Sequence, residues 1–458
     1  MWFSLVVCIL MLLLVVRATY NALKAFTWST EMVSGFSQTS WSNDCSLPHF
    51  YLLIPALREQ AVIERTLSRL VDLNFPVDSF DIILALDLKE KPNKDGVTTF
   101  DVATRFIKAR QSFTGPSISI VIYSGDGRMR SLQLNEALKF VKERVDSSEQ
   151  DPTKVFVGVY DADSFPSKEV LHYIHWRLGV RPDLCAFQQT LDYRLNIDEI
   201  LDQRFPWLLW GNAIYQTAWN TLSEVPSFLR MNTQLGTRKP ASFPPYCMGH
   251  GEFIRLDVLQ QVGGFSTDGA ADGIQIGYSL SVRSIEIEPV PFADYCESPV
   301  SHVALIHQHS LWFAGTTTFF RYATSDSGLS VVVLKRLVNQ TIEMVKWLTC
   351  PFWIVSALLI LAVEALRGQP WAAILLPSIL LLLLAYSNLV LSVVIRNYDV
   401  NLPKDRRSQV WLAPFWILVA IGYRSLGGIL GLIKMLRAFA QGISPSFRKI
   451  ERLGDSGK

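Results

Sequence analysis

The sequence predicts an α/β domain on a doubly wound, mostly parallel sheet, with apolar helices long enough to cross a membrane on either side of it. Three observations lead there. Between residues 50 and 180, short apolar runs that stop at acidic or glycine-containing turns alternate with stretches of helical spacing, the pattern of strand–helix repeats. The 458 residues are 49% hydrophobic and 18% charged, where an ordinary soluble domain has about 25% charged residues. The apolar excess lies at the two ends, while the middle carries nearly all the acidic residues.

The first apolar run is Trp2–Val16, extended through 18–22. No Lys or Arg precedes it and no small-x-small cleavage site follows, so it reads as a signal anchor rather than a cleaved leader. Arg17 and Lys24 after it place the following residues in the cytoplasm by the positive-inside rule. Residues 1–44 are thus expected to be an anchor and linker, and 45–330 one cytosolic domain.

Within that domain the first strand is Phe50–Ile54, ended by Pro55, and Ile63, Leu67 and Leu70 follow at helical spacing. Phe80–Leu86 ends at Asp87 and precedes a polar helix over Thr99–Ser112. Ser117–Tyr123 alternates, is β-branched and ends at Gly125-Asp126-Gly127; a helix over Ser131–Arg144 follows. Lys154–Tyr160 ends at Asp161-Ala162-Asp163, and Pro166-Ser167 opens another helix with Ser167 as its cap. Ligands of such sheets bind beyond the carboxyl ends of the strands, which draws attention to Glu59, Asp87, Arg130, Asp161 and Asp163.

After Asp326 the composition shifts. Val331–Met344 is amphipathic and suits a membrane interface. Trp347–Leu366 and Trp371–Ile395 are each long enough to span a bilayer. Val410–Ala440 is apolar but interrupted by Arg424 and by glycines 422, 427, 428 and 431. A re-entrant or broken helix there returns the basic tail to the cytoplasm, and a further full span is the alternative. The expected architecture has one N-terminal and two to three C-terminal transmembrane helices, with 331–458 holding the interfacial helix, the spans and the tail.

Forty-three Lys plus Arg against 41 Asp plus Glu leave a formal charge of +2, which argues against a nucleic-acid partner. The six cysteines contain no CxxC pair, against a zinc site or disulfide framework. The scarcity of polar residues in the spans, beside so large a polar domain, argues against a transporter.

Chemistry concentrates at Asp161-Ala162-Asp163. Two carboxylates one residue apart at a strand end suit a hard divalent cation with oxygen ligands, Mg²⁺ or Mn²⁺, which often bridges to phosphates. In its setting this pair resembles the metal motif of membrane-integrated family 2 glycosyltransferases, which have a GT-A catalytic domain and include the cellulose, hyaluronan and poly-N-acetylglucosamine synthases. Further pieces resemble that family in order. Ile54-Pro55-Ala56-Leu57-Arg58-Glu59 is similar to its first-strand motif, and Asp87 stands where an acidic nucleotide contact is usual. Arg130-Ser131-Leu132-Gln133-Leu134-Asn135-Glu136-Ala137-Leu138 resembles its Lys-x-x-x-Leu-Asn-x-Ala-Leu segment. Met248-Gly249-His250-Gly251-Glu252-Phe253-Ile254-Arg255 resembles its acceptor-facing loop, Gln308-His309-Ser310-Leu311-Trp312 its Gln-x-x-Arg-Trp motif, and Phe447–Arg452 its basic ending.

The resemblance implies an enzyme: an inverting, metal-dependent hexosyltransferase that moves a sugar from a nucleotide sugar, first of all a UDP-sugar, to a glycan or lipid-linked acceptor in polysaccharide or glycoconjugate synthesis. Asp161 and Asp163 would hold the metal. Glu59, Asp87, Arg130, Asp161, His250, Gln308 and Trp312 would contact substrate. The implied partners are donor, acceptor and lipid bilayer, with a homo-oligomer compensating for few spans, and the implied location is the plasma membrane, multi-pass, with the catalytic domain in the cytoplasm. The sequence departs from the pattern in three places. The base of the family's Thr-Glu-Asp motif falls on Gly273, leaving Asp272, or second Asp268, as base. Leu311 replaces the motif arginine, so Arg255, Arg283 or His309 would have to substitute. Arg130 replaces a lysine. These departures motivate an alternative, a catalytically weak relative that binds nucleotide sugar or glycan within an assembly.

Overall fold

The computed structural model describes residues 2–37, 47–110, 114–125, 129–203, 205–236, 246–267, 272–325, 331–397 and 413–441. Asp126, Gly127, Asp268, Cys45 and the basic segments at 404–407 and 447–452 lie outside them.

The chain begins with α1 (Trp2–Ser37). The parallel half of the sheet follows as β1 (His49–Ala56), α2 (Ile63–Val71), β2 (Phe80–Asp87), α3 (Thr99–Ala109), β3 (Ser117–Tyr123), α4 (Arg130–Ser147) and β4 (Val155–Val159), with β1 between β2 and β4 and β3 beyond β2. β1 is apolar on both faces because both are covered. Phe50, Leu52 and Ile54 face α2, while Tyr51 and Leu53 face α4, the two-residue alternation of a strand. Thr98 starts α3 with a capping box to Asp101.

The remainder of the domain is β5 (Phe165–Pro166), α5 (Val170–Val180), β6 (Ala186–Asp192), α6 (Ile197–Leu201), α7 (Pro206–Trp219), a π-helical turn Asn220–Glu224, α8 (Val225–Gly236), β7 (Glu252–Arg255), α9 (Leu256–Gln261), α10 (Asp272–Val282) and β8 (Glu288–Tyr295). Here the sheet is mixed rather than mostly parallel: β7 runs antiparallel to both β4 and β6, β6 is parallel to β8, and β5 is antiparallel to β8. β5 and β7 are short, and β6 and β8 are interrupted by polar residues or prolines, which hides all four from a hydrophobicity reading. Ser167 is not a helix cap. Pro166 belongs to β5, α5 begins at Val170, and the Ser167 hydroxyl donates to Glu169 at 2.5 Å.

Among the described residues that follow there are four long helices: α11 (His302–Ser325), α12 (Val331–Leu366), α13 (Pro370–Asn397) and α14 (Ala413–Ala440). The amphipathic stretch and the apolar one after it form one continuous helix, α12. α14 is likewise unbroken, which corrects the broken-helix reading. Its glycines 427, 428 and 431 permit close packing. A Cβ at Gly427 would stand 2.3 Å from His309 Cβ of α11, and one at Gly431 2.7 Å from the Ser310 carbonyl. Arg424 lies between Trp219, 3.7 Å from its ring centroid, and Trp347 at 4.1 Å, and donates to Tyr215 at 3.1 Å, so the charge that interrupts this stretch faces aromatic protein. Among the described residues, Val333–Leu366 and Val419–Ala440 are long and apolar enough to cross a membrane by length and composition.

Gly427→Val is therefore expected to separate α11 from α14 and to cost about 3 kcal/mol, the upper end for overpacking against an unyielding neighbour. Gly422 has nothing within 4 Å of its would-be Cβ, so Gly422→Ala should be neutral or stabilising by up to about 1 kcal/mol. Thermal unfolding of the purified protein checks both, and equal behaviour of the two variants would refute the packing role.

Candidate active site

β1, β2 and β4 end on one edge of the sheet, and the polar residues after them gather there. Asp161 and Asp163 sit in a turn in which the Asp161 amide donates to the Ser164 hydroxyl at 3.1 Å and the Ser164 amide returns to the Asp161 carbonyl at 3.0 Å. Glu59 lies in the turn that leads into α2, its carbonyl accepting from the amides of Val62 and Ile63 at 3.1 and 3.0 Å. The preceding Arg58 has a φ of +58°, a left-handed conformation costly for a non-glycine residue. Asp87 ends β2 and accepts from the Lys89 amide at 2.8 Å. Both acids stand at this edge, as expected.

Arg130, the first residue of α4, ties the centre together. Its guanidinium reaches Asp272 at 2.7 Å and Asp161 at 2.9 Å, and it donates to the Gly249 carbonyl. Residues far apart in the chain thus meet on one fork, a geometry that suits arginine and that lysine does not offer. Burial alone would make the guanidinium easier to deprotonate. Asp272 and Asp161 outweigh that and raise its pKa.

The loop carrying His250 is shaped by Gly249 and Gly251, with φ of +86° and +64°, values glycine adopts without strain. Gly251 donates to the Val159 carbonyl at 2.7 Å and accepts from the Gln189 amide at 2.7 Å, which seats the loop across β4 and β6. His250 Nδ1 is 2.9 Å from Asp294 Oδ2, and its Nε2 is 4.0 Å from Asp161 Oδ2. Burial would lower the imidazole pKa, but Asp161 and Asp294 together hold it at about 9.

The structure brings Asp161, Arg130, His250 and Asp272 into one cluster. Gln308 and Trp312 lie on α11 to one side. Gln308 accepts from Gln216 at 3.2 Å, and Trp312 meets Tyr193 edge-on with ring centroids 6.0 Å apart. Trp312, Tyr193, Leu191 and Cys296 pack together, and Cys296 Sγ is 4.0 Å from His250 Nδ1. None of the suggested replacements for the missing motif arginine joins the cluster. Arg255 pairs with Asp257 at 2.7 Å, Arg283 donates to the Ser279 carbonyl at 3.1 Å, and His309 is 3.2 Å from Asn212. Besides Arg130, the guanidinium of Arg65 on α2 lies beside the acidic turn, 3.5 Å from the Asp163 carbonyl and 2.7 Å from Glu297. Arg65 and Asp294 are not legible in the sequence, since no local spacing links them to Asp161 or His250. Glu252 lies inside the quoted loop motif, but nothing in the motif marks it as buried beside the site.

Glu252 is fully buried, with the Gly249 backbone and the Cys247 thiol beside its carboxyl group. Burial, then Asp272, raises its pKa from 4.5 to about 7. Below pH 4.5 folded and unfolded chains both hold this proton. Between 4.5 and about 7 the unfolded chain releases it first, so stability falls as pH rises, by up to about 3 kcal/mol above pH 7. Denaturation midpoints of metal-free protein at pH 4.5, 6 and 8 should show that fall in the wild type and much less of it in Glu252→Gln. An unchanged slope in the variant would assign the pH dependence to another group.

No family model matches the chain. Over 282 residues it is 31% identical to YdaM of Bacillus subtilis, described as a probable glycosyltransferase; the match takes in 59% of this chain and 55% of that protein. The chain thus spans about half the length of the curated relative it matches, and over that span its sequence is similar to a glycosyltransferase. Among solved structures it is similar to the mannosyltransferase PcManGT from Pyrobaculum calidifontis in complex with GDP-Man and Mn²⁺, at 16% identity over 92% of this chain and 99% of that one, with a TM-score of 0.49. It is also similar to S. aureus TarS 1–349 in complex with UDP-GlcNAc, at 13% identity over 86% and 92%, with a TM-score of 0.40.

Proposed function

We propose that the chain is a membrane-attached glycosyltransferase of the family 2 type, which transfers a hexosyl group with inversion from a nucleotide sugar, first of all a UDP-sugar, to a glycan or lipid-linked acceptor on the cytoplasmic face of the plasma membrane. The observation that carries this reading is the junction at Arg130, which gathers the Asp161 turn, Asp272 and the His250 loop at the carboxyl edge of β4. The two long apolar helices, with Trp353 and Leu359 exposed on α12, support membrane attachment.

The donor set fits a hard divalent cation. The Asp161 side chain is 40% exposed, so its carboxylate is within reach of a ligand, and Asp163 is two residues on. Mg²⁺ or Mn²⁺ held by Asp161 and Asp163 would neutralise charge on a diphosphate leaving group. Arg130 and Arg65 add positive charge on either side of that turn. Glu59 and Asp87 hold the nucleotide. His250 lines the floor, and Gln308 with the Trp312 ring lines the acceptor side, where an aromatic face suits a sugar. Asp272 takes the proton of the attacking acceptor hydroxyl.

The test is release of nucleoside diphosphate by protein in nanodiscs, supplied with Mn²⁺, membrane extract as acceptor source, and a panel of UDP-, GDP- and dTDP-sugars. Turnover with one donor, reduced about 100-fold or more in both Asp163→Ala and Asp272→Ala, is expected. Full activity of Asp272→Ala would remove it as base. A second reading, a relative that binds donor without transferring sugar, is favoured by Gly273, where a Cβ would stand 2.3 Å from the Cys247 carbonyl oxygen and no base can be housed. Donor binding without turnover across the panel would select it.

A further inference from the structure

We infer that His250, braced by Asp294, joins Asp161 of the acidic turn as a protein ligand of the divalent-cation site. This rests on the metal-dependent reading above and adds to it a residue pair that the acidic motif does not contain. Two ligand atoms each about 2.1 Å from one ion stand at most about 4.2 Å apart. His250 Nε2 and Asp161 Oδ2 are 4.0 Å apart, inside that limit without rearrangement. Asp161 Oδ1 is meanwhile occupied by Arg130 at 2.9 Å, which turns Oδ2 toward the imidazole.

The far side of the ring has the arrangement that orients metal-binding histidines. Nδ1 is 2.9 Å from Asp294 Oδ2, and Asp294 is fully buried. That carboxylate is fixed in turn by the Ser164 hydroxyl at 2.7 Å and the Phe165 amide at 3.0 Å. Once an ion replaces the proton on Nε2, the carboxylate on Nδ1 sets the tautomer and leaves the Nε2 lone pair facing Asp161. Ser164 and Phe165 directly follow the acidic turn, so the brace and the turn are built from one stretch of chain. Gly249 and Gly251 provide the reversal that lets His250 reach in.

His250, Asp294 and Cys296 also lie close enough together to hold an ion among themselves. Their bonding argues against it. An ion there would need Nδ1, which faces Asp294, and would compete with the hydrogen bonds already made to both Asp294 oxygens. The Nε2 side requires none of these to break.

The experiment uses the full chain in detergent with Mn²⁺ and UDP, read by electron paramagnetic resonance. Pulsed spectra of the wild type should show a directly bound histidine nitrogen, which shifts on ¹⁵N-histidine labelling and is absent in His250→Gln. Mn²⁺ affinity should fall about 10- to 100-fold in His250→Gln and about 10-fold in Asp294→Asn, and stay unchanged in Cys296→Ser. The wild-type spectrum needs no variant to fold. Mn²⁺ binding that is lost in Asp163→Asn but shows no histidine nitrogen would overturn the inference and leave the metal-dependent reading intact. Loss in Cys296→Ser with Asp163→Asn unaffected would move the ion into the buried triad and overturn it too. Absence of Mn²⁺ binding in every form would overturn both readings.

Discussion

Gly273→Asp, which puts a carboxylate back where the family-like motif would have its base, is expected to destroy the site rather than repair it. A Cβ at 273 would stand 2.3 Å from the Cys247 carbonyl oxygen, 2.7 Å from the Gly249 amide nitrogen and 2.9 Å from the Cys247 carbonyl carbon. All three are backbone atoms, so no side-chain rotation relieves the clash. The segment that would have to move is held by the Cys247 amide donating to the Gly273 carbonyl at 3.0 Å, and it carries the Gly249 carbonyl to which Arg130 donates. Even Gly273→Ala should therefore cost about 3 kcal/mol or more, with Gly273→Asp worse because it adds a charge beside Asp272. Both variants should melt well below the wild type and release no nucleoside diphosphate. A Gly273→Asp protein that melts with the wild type and turns over faster would show that the loop yields.

The second large effect is expected at Arg130. Arg130→Met keeps the bulk of the side chain but leaves Asp272, whose side chain is 10% exposed, without its cation. Removing one partner of a buried pair costs about 3–5 kcal/mol. Here the lower end applies, since Arg130 itself is 29% exposed and Asp161 40%. The loss should be greatest at pH 8, where Glu252 is charged as well and also misses the arginine, and shrink on acidification below about 7 as Glu252 takes up its proton. Arg130→Lys should recover part of the stability and little of the geometry, because an ammonium does not offer the planar fork that spans Asp161 and Asp272. Denaturation midpoints at pH 5 and pH 8 for the three proteins decide it. A pH-independent loss in Arg130→Met would mean packing, rather than charge, is what the arginine provides.

The elements legible from the residues alone share a cause. β1, β2 and β4 are covered on both faces, so each reads as a continuous apolar run stopped by a polar residue. The Asp161–Asp163 pair is visible for the same reason: it is where one of those runs ends. β7 reads only as part of a glycine-containing loop. Its four residues begin acidic at Glu252 and end basic at Arg255, leaving just two apolar positions between, and its pairing with β4 and β6 is a long-range event. In α14 the glycines suggest a break because propensity penalises glycine in a helix interior. Close contact with α11 at Gly427 and Gly431 overrides that penalty.

The parallel α/β half, the acidic turn at its carboxyl edge and the apolar helices that follow are all written in the sequence, since each depends on residues close together in the chain. Which groups meet that turn is settled by the fold alone. Arg130 and His250 reach it from α4 and the glycine loop, Asp272 of α10 meets it through Arg130, and Asp294 of β8 holds the Ser164 hydroxyl and Phe165 amide at its end. Only the packed chain, too, shows that position 273 has no room for a side chain. Local patterns record how each segment buries its own apolar face, whereas the charges of a site are balanced by partners that the sheet topology brings in from far along the chain.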